Sequence, residues 1–381
     1  MSVPSFSYSE VIPENSKDSY TAHENVDFLL NFEGRAINLG SIRIEGELEA
    51  KYDGKFLNSD DDVNGVINQK DIFYNPTVGA HACFESIQTS IQGAVVENVQ
   101  DYPRWVTMVT KATSEQGDVG NNSDQSCELK TSYKQATNQL LQGTVVAQQP
   151  TAAVRLNPDF GVKPMIALNS SSRAMPYSKS GQIRITLNLA RTNAIFFGKD
   201  VDGQLTYSVK DLRVTFSSIP EADVDPKMPI TLRTKLGMKQ SIQSTLASVA
   251  LRVPAICSGV SCSFLPQGQE NSAVADSLEM TTVPNLKSIQ YSFNDITSSL
   301  VTFRLKSMPE FIQGYIDSML DTGLNALGPD SWANQEGFGV GTSFSGMVDL
   351  RNQKFAVQLN SDISNNDPHI IYLFFHSVMQ L

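Results

Sequence analysis

Phe355-Ala356-Val357-Gln358-Leu359 and Ile370-Ile371-Tyr372-Leu373-Phe374-Phe375 close the chain, and their reading decides the fold. The first run places apolar residues at alternate positions, the period-2 pattern of a strand with one buried face. The second is apolar at every position, as expected of a strand covered on both faces. Between them, Ser364-Asn365-Asn366-Asp367-Pro368 is turn chemistry. The pattern has an earlier echo. Ile183-x-Ile185-x-Leu187-x-Leu189 alternates, a Gly/Asp-rich loop runs from Gly198 to Gly203, and Leu205-x-Tyr207-x-Val209 continues into Leu212-x-Val214-x-Phe216. The same two-strand ending occurs twice, and each is expected to form a closing hairpin.

Working outward, two modules emerge within the 381 residues, a length that accommodates two cores of ordinary size. Residues 1–25 are polar, contain Pro4 and Pro13 and show no sustained period, so they read as an extended arm able to lie on a neighbour. The first module is expected over 26–220, with strands at Val26–Phe32, Ile42–Leu48 and Ala82–Ile91. A helix is expected over Asn98–Thr113, with Pro103 in its first turn, and a second around Ser132–Leu141. Pro220-Glu221-Ala222-Asp223-Val224-Asp225-Pro226 has no apolar period and marks a linker, taken as 221–235. The second module, 236–381, offers strands at Ile242–Val253, Gly259–Phe264, Ile289–Phe293 and Val301–Leu305. A helix follows, with Ser307 as N-cap, Pro309 in the first turn and Glu310 three residues after the cap. Phe160-Gly161-Val162 and Phe338-Gly339-Val340 stand at matching places in the two modules.

Composition narrows the function. Charged residues are 18% of the chain, and the net charge is -11. Neutralising a nucleic-acid backbone takes clustered Lys and Arg, which the sequence lacks, so no direct nucleic-acid partner is expected. No charged region followed by an apolar core opens the chain, which points to cytoplasmic synthesis. Cys83, Cys127, Cys257 and Cys262 are too few and too scattered for a disulfide framework, and read as buried thiols.

No catalytic constellation is expected. The four histidines, His23, His81, His369 and His376, lie in no nucleophile motif. His81 and Cys83 read as a packed pair on one strand face, and His369 and His376 as the two ends of the last strand. Cys257 and Cys262 lack the partners of a zinc site. The sharpest local match to a metal motif is Asp60-x-Asp62-x-Asn64-Gly65 with Asp71 at the twelfth position, which resembles a calcium loop. Its flanks read as strands rather than the helices such a loop needs, so an acidic solvated loop is the competing reading, and no cofactor is expected. Asp200-Val201-Asp202-Gly203 reads as a turn. Asn121 and Asn169 open formal glycosylation acceptors, while Trp105, Phe196, Phe197 and Trp332 read as core or subunit interface.

Two strand-rich modules, each with a helix before its last strands and each with the same ending, resemble the double jelly-roll major capsid proteins of tailless icosahedral phages, adenoviruses and virophages. The resemblance implies an all-β chain of two tandem eight-stranded jelly rolls with short helices in the loops. It also implies a structural rather than enzymatic role in the virion: a homotrimeric, pseudo-hexameric, hexon-like capsomer. Its partners would be neighbouring capsomers and penton or minor capsid proteins, with an internal membrane left open. Two alternatives stand beside it. One is a penton protein at the vertex of a related virus; the other is a two-jelly-roll glycan-active or carbohydrate-binding protein.

Overall fold

The computed structural model describes residues 6–56, 72–74, 78–113, 159–201, 203–278, 283, 285–294, 300–320 and 339–381. The strands that build its main sheets in the first half are β1 (Ser7–Val11), β2 (Ser19–Tyr20), β3 (Asn25–Leu30), β4 (Arg35–Asn38), β5 (Arg43–Tyr52), β6 (Phe84–Ile91) and β7 (Ala94–Val99). Helix α1 (Tyr102–Thr113) follows, then β8 (Asp159–Val162), β9 (Ile183–Leu189) and β10 (Leu205–Pro220). The second half runs β11 (Thr231–Ile242), β12 (Leu246–Leu251), β13 (Ile256–Pro266), β14 (Ser288–Asn294) and β15 (Leu300–Leu305). Helix α2 (Met308–Leu320) comes next, and β16 (Val340–Asp349), β17 (Lys354–Asn360) and β18 (His369–Gln380) complete it.

The two halves repeat one topology. In the second, one sheet has the order β16–β13–β18–β11 and the other β12–β17–β14–β15. In the first, β8–β5–β10 with β1 and β2 on β10 matches the former, and β3–β9–β6–β7 matches the latter. Phe160-Gly161-Val162 lies in β8, and Val340 opens β16, so the repeated tripeptide marks the same edge strand twice. Phe338 lies outside the described residues.

The two closing strands of each half are not hairpins. β9 pairs with β3 and β6, whereas β10 pairs with β1, β2, β4 and β5 in the opposite sheet. β17 and β18 are separated in the same way. A turn-rich linker between two apolar runs permits either pairing or crossing, and burial of both apolar faces favours the crossing.

Alternation explains each sandwich. β9 alternates buried and half-buried residues along its whole length, with Ile183, Ile185, Leu187 and Leu189 inward. The turn from β6 to β7 is Gln92-Gly93, both at positive φ (52° and 76°), the two-residue geometry that joins tightly paired antiparallel strands. At α2, the Glu310 carboxylate accepts the Ser307 N–H at 3.2 Å, one half of the expected capping box.

Several expectations are corrected. Residues 7–11 and 19–20 are not a free arm: they pair with β10 of their own chain, from Ser7 opposite Ser218 to Val11 opposite Val214. Thr231–Lys235, read as linker, is the start of β11. β7 was hidden because α1 starts at Tyr102 rather than Asn98, leaving Val99 as the last strand residue. The region around Ser132–Leu141 lies outside the described residues.

Candidate functional surface at the seam between the two halves

The two halves meet edge to edge. β7 and β11 run parallel, with Asn98 opposite Leu236, and fuse one sheet of each half into an eight-stranded sheet. Strand β18 lies within it, buried from His369 to His376. Ile370, Tyr372 and Phe374 join the core of the first half, while Ile371, Leu373 and Phe375 join that of the second. A run apolar at every position is what a strand serving two cores requires.

Charge fastens the seam. Glu97 on β7 has a fully buried side chain, and its carboxylate accepts the Lys235 backbone N–H at 3.0 Å and the Ala167 N–H at 2.6 Å. The Lys235 ammonium stands 3.3 Å from the same carboxylate, donates to the Met165 carbonyl at 3.1 Å, and lies 5.4 Å over the Trp105 ring. Every charge here is paired and hydrogen-bonded, the condition under which a buried ion pair is tolerated. Nearer solvent, Lys239 bridges Asp101 at 3.1 Å and Glu270 at 2.9 Å. Burial acts to lower the Lys239 pKa, but these two carboxylates outweigh it and hold the ammonium above its ordinary value.

Helix α1 is the wedge. Trp105, 1% exposed, packs against Phe374 at 5.3 Å and His376 at 5.5 Å between ring centres. The Arg104 guanidinium lies 4.8 Å over the Tyr372 ring and donates to the Ser277 carbonyl. Tyr315 on α2 donates to the Met108 carbonyl at 3.1 Å, tying the two helices together. Close approach at this point needs Gly237, where a Cβ would stand 2.6 Å from the Gln100 carbonyl oxygen and 3.3 Å from the Phe374 ring. Gly237→Ala is therefore expected to destabilise the chain by about 1–3 kcal/mol, read as a lower urea midpoint. Gly268→Ala, where a Cβ meets nothing within 4 Å, serves as the control and should stay within about 0.5 kcal/mol.

His81, His369 and His376 are buried structural members of this region, whereas His23 is exposed. His81 lies with Cys83 in a 3-10 turn (Gly79–Cys83), not on a strand, and its Nδ1 stands 2.8 Å from the Tyr102 hydroxyl. Burial holds the His81 imidazole neutral, its pKa lowered to about 4. His369 begins β18, but His376 does not end it: the strand continues to Gln380. The His376 Nε2 stands 2.7 Å from the Ser261 hydroxyl, which is 2.8 Å from that of Ser318. Burial first, and the Lys235 charge second, lower the His376 pKa to about 3. Ser261 is fully buried beneath α2, so this serine and histidine are packing partners with no face open to a substrate.

The remaining candidates scatter. Asp60, Asp62, Asn64 and Asp71 of the calcium-like loop lie outside the described residues, as do Cys127, Asn121 and Trp332. Cys83, Cys257 and Cys262 are buried, and burial pushes the thiols of the latter two up to about 12. The Asn169 side chain is a clamp: its oxygen accepts the Ile42 N–H at 3.2 Å, and its amide donates to the Ile42 and Pro164 carbonyls. Phe196 is fully buried.

No protein-family model matches the chain, and no curated protein does. Solved structures match over its whole length. Against the Faustovirus major capsid protein the TM-score is 0.61 at 10% identity, covering 100% of this chain and 91% of that one. Against PBCV-1 VP54, in a structure fitted into a reconstruction of the virophage Sputnik, it is 0.57 at 11% identity, covering 100% and 96%. Against the Sputnik virophage structure it is 0.56 at 11% identity, covering 99% and 86%. The chain has the double jelly-roll fold. The seam is thus the junction between two jelly rolls, β7 and β15 are the corresponding fifth strands of the two rolls, and α1 and α2 are the corresponding helices after them. Sequence reasoning missed the seam because Lys235, Gly237 and Lys239 interrupt the apolar alternation of β11. Isolated lysines and a glycine read as solvent or turn, not as contacts with another roll.

Proposed function

We propose that this chain is a major capsid protein of a virus, a structural component of the virion that assembles as a trimer and tiles an icosahedral shell. One observation carries the reading: two jelly rolls in tandem, fused edge to edge, are matched over the full length of the chain by structures described as the Faustovirus major capsid protein and the PBCV-1 virus capsid. Physical argument supports the trimer. Three chains bring six similar rolls around one axis, a near-hexagonal tile, and closed cyclic symmetry buries the same edges repeatedly. Jelly rolls suit the task because they leave few strand edges to aggregate in uncontrolled ways.

The purified protein is expected to give a mass-photometry peak at three times the 41.7-kDa chain. Negative-stain images are expected to show three-fold tiles with a near-hexagonal outline. Pentamers would indicate a vertex protein instead. A stable monomer with glycan-binding or glycan-cleaving activity would overturn the capsid reading.

A further inference from the structure

β12 and β17 pair in register from Leu246 opposite Asn360 to Leu251 opposite Phe355. One step further the register sets Arg252 directly opposite Lys354, and both residues are exposed. Like charges facing each other across two strands are destabilising. In the first roll the matching strands, β3 and β9, end their pairing at Leu30 opposite Ile183, and the next residues are the uncharged Asn31 and Gln182. The jelly roll itself therefore does not require the two cations.

Among the described residues neither Arg252 nor Lys354 has a carboxylate within ion-pair distance, whereas Lys17, Arg184, Lys210 and Lys287 each do. A third cation, Arg351, stands in the turn between β16 and β17. Asp349 accepts two of its side-chain N–H groups, at 2.9 and 2.7 Å, which leaves its remaining donors for another acceptor. Arg252, Arg351 and Lys354 line one open cleft of about 590 Å³, completed on one side by Asn352 and Gln353. That volume lies in the range of small-molecule sites.

The cleft is built on fixed segments. The Leu350 N–H donates to the Ala255 carbonyl at 3.0 Å, joining the turn after β16 to the loop after β12, and Val253 and Leu350 are buried in the core. The Gln353 Oε1 is buried and accepts no hydrogen bond within the chain. The site thus lacks two things: an anion between its cations and a donor for its carboxamide oxygen.

We propose that this cleft binds a phosphorylated polyol, its phosphate held by Arg252, Lys354 and Arg351 and one of its hydroxyls donating to Gln353. A phosphate offers several acceptor oxygens at once, and a guanidinium meets it with parallel N–H groups. Its charge removes the repulsion between Arg252 and Lys354. Bare phosphate would satisfy the cations but leave the Gln353 oxygen without a donor. The same chemistry occurs on free sugar and inositol phosphates and on inositol lipid headgroups. The site does not depend on how the chain assembles.

Calorimetric titration of the full chain at about 0.15 M salt tests this, with inositol bisphosphate and pyrophosphate as probes of similar charge. The wild type is expected to bind inositol bisphosphate at least tenfold more tightly than pyrophosphate, and to melt at a higher temperature when saturated. Arg252→Glu is expected to abolish binding without lowering the melting temperature of the free chain, because it turns a repulsive pair into an attractive one. Gln353→Leu is expected to bring inositol bisphosphate down to the affinity of pyrophosphate. Lys287→Gln, which removes an exposed cation far from the cleft in sequence and paired with Asp362, is expected to bind as the wild type does. Sedimentation with phosphatidylcholine vesicles, with and without phosphatidylinositol phosphate, separates the sources. Retention that needs the phosphorylated lipid and is lost in Arg252→Glu assigns the headgroup; binding of the soluble probe alone assigns a free phosphorylated polyol. A wild type that binds neither probe nor vesicles, or a folded Arg252→Glu variant that binds equally well, overturns the site. Equal affinity of the wild type for the two soluble probes overturns the polyol assignment.

Discussion

Glu97→Ala is expected to destabilise the protein by about 3–5 kcal/mol, enough to remove a large share of an ordinary domain's stability. The substitution removes a carboxylate whose side chain is fully buried, and leaves the Lys235 ammonium, 8% exposed, without its counter-charge. It also strips the Lys235 and Ala167 N–H groups of their acceptor. Lys235→Met is expected to be damaging as well, since it isolates the carboxylate. The double variant, Glu97→Ala with Lys235→Met, should be less destabilised than the sum of the singles, because no unpaired charge then remains. Urea unfolding of the four proteins measures this. Limited proteolysis should detect earlier cleavage near the seam in the single variants. Additive effects, or a Glu97→Ala cost below about 1 kcal/mol, would show that the pair does not fasten the two rolls.

The second large effect is acid sensitivity. His81 and His376 are held neutral by burial, with folded pKa values near 4 and 3 against an ordinary value of 6.5. Well above pH 6.5 neither imidazole binds a proton in either state, and the stability is fully present. As pH falls below 6.5 the unfolded chain takes up protons that the folded chain refuses, so stability declines until the folded pKa values are reached. Each histidine contributes a slope of roughly 1.4 kcal/mol per pH unit, so a fall from pH 6.5 to 4.5 should cost on the order of 5 kcal/mol for the two. Both rings touch α1, His81 through Tyr102 and His376 through Trp105, and the seam is where loosening should begin. Melting curves between pH 7 and 4.5 test this. His81→Gln and His376→Gln should each flatten the pH dependence, whatever their effect at pH 7. Slopes unchanged from the wild type would exclude these residues as the cause.

The parts of the fold legible in the sequence are those set by local pattern. β9, β10, β17 and β18 show in the spacing of their own apolar residues, and α2 in Ser307, Pro309 and Glu310. Elements whose partners lie far away were misread. β1 and β2 look like an arm because their residues are polar and punctuated by proline; only pairing with β10, some 200 residues later, makes them strands. β7 was absorbed into the helix that follows it, since Val99 sits at a helical distance from Tyr102 while its actual neighbours are in β6.

The seam shows the division most clearly. The sequence by itself determined that β18 is covered on both faces, because six consecutive apolar residues leave no face for water. It could not say by what. Only the tertiary structure placed one core on each side, aligned Glu97 with Lys235 across 138 positions, and brought the Gln100 carbonyl against Gly237. The reason is physical: period and capping act over a few residues and are written locally. A buried charge or a missing Cβ takes its meaning from a partner that only the folded chain brings within reach.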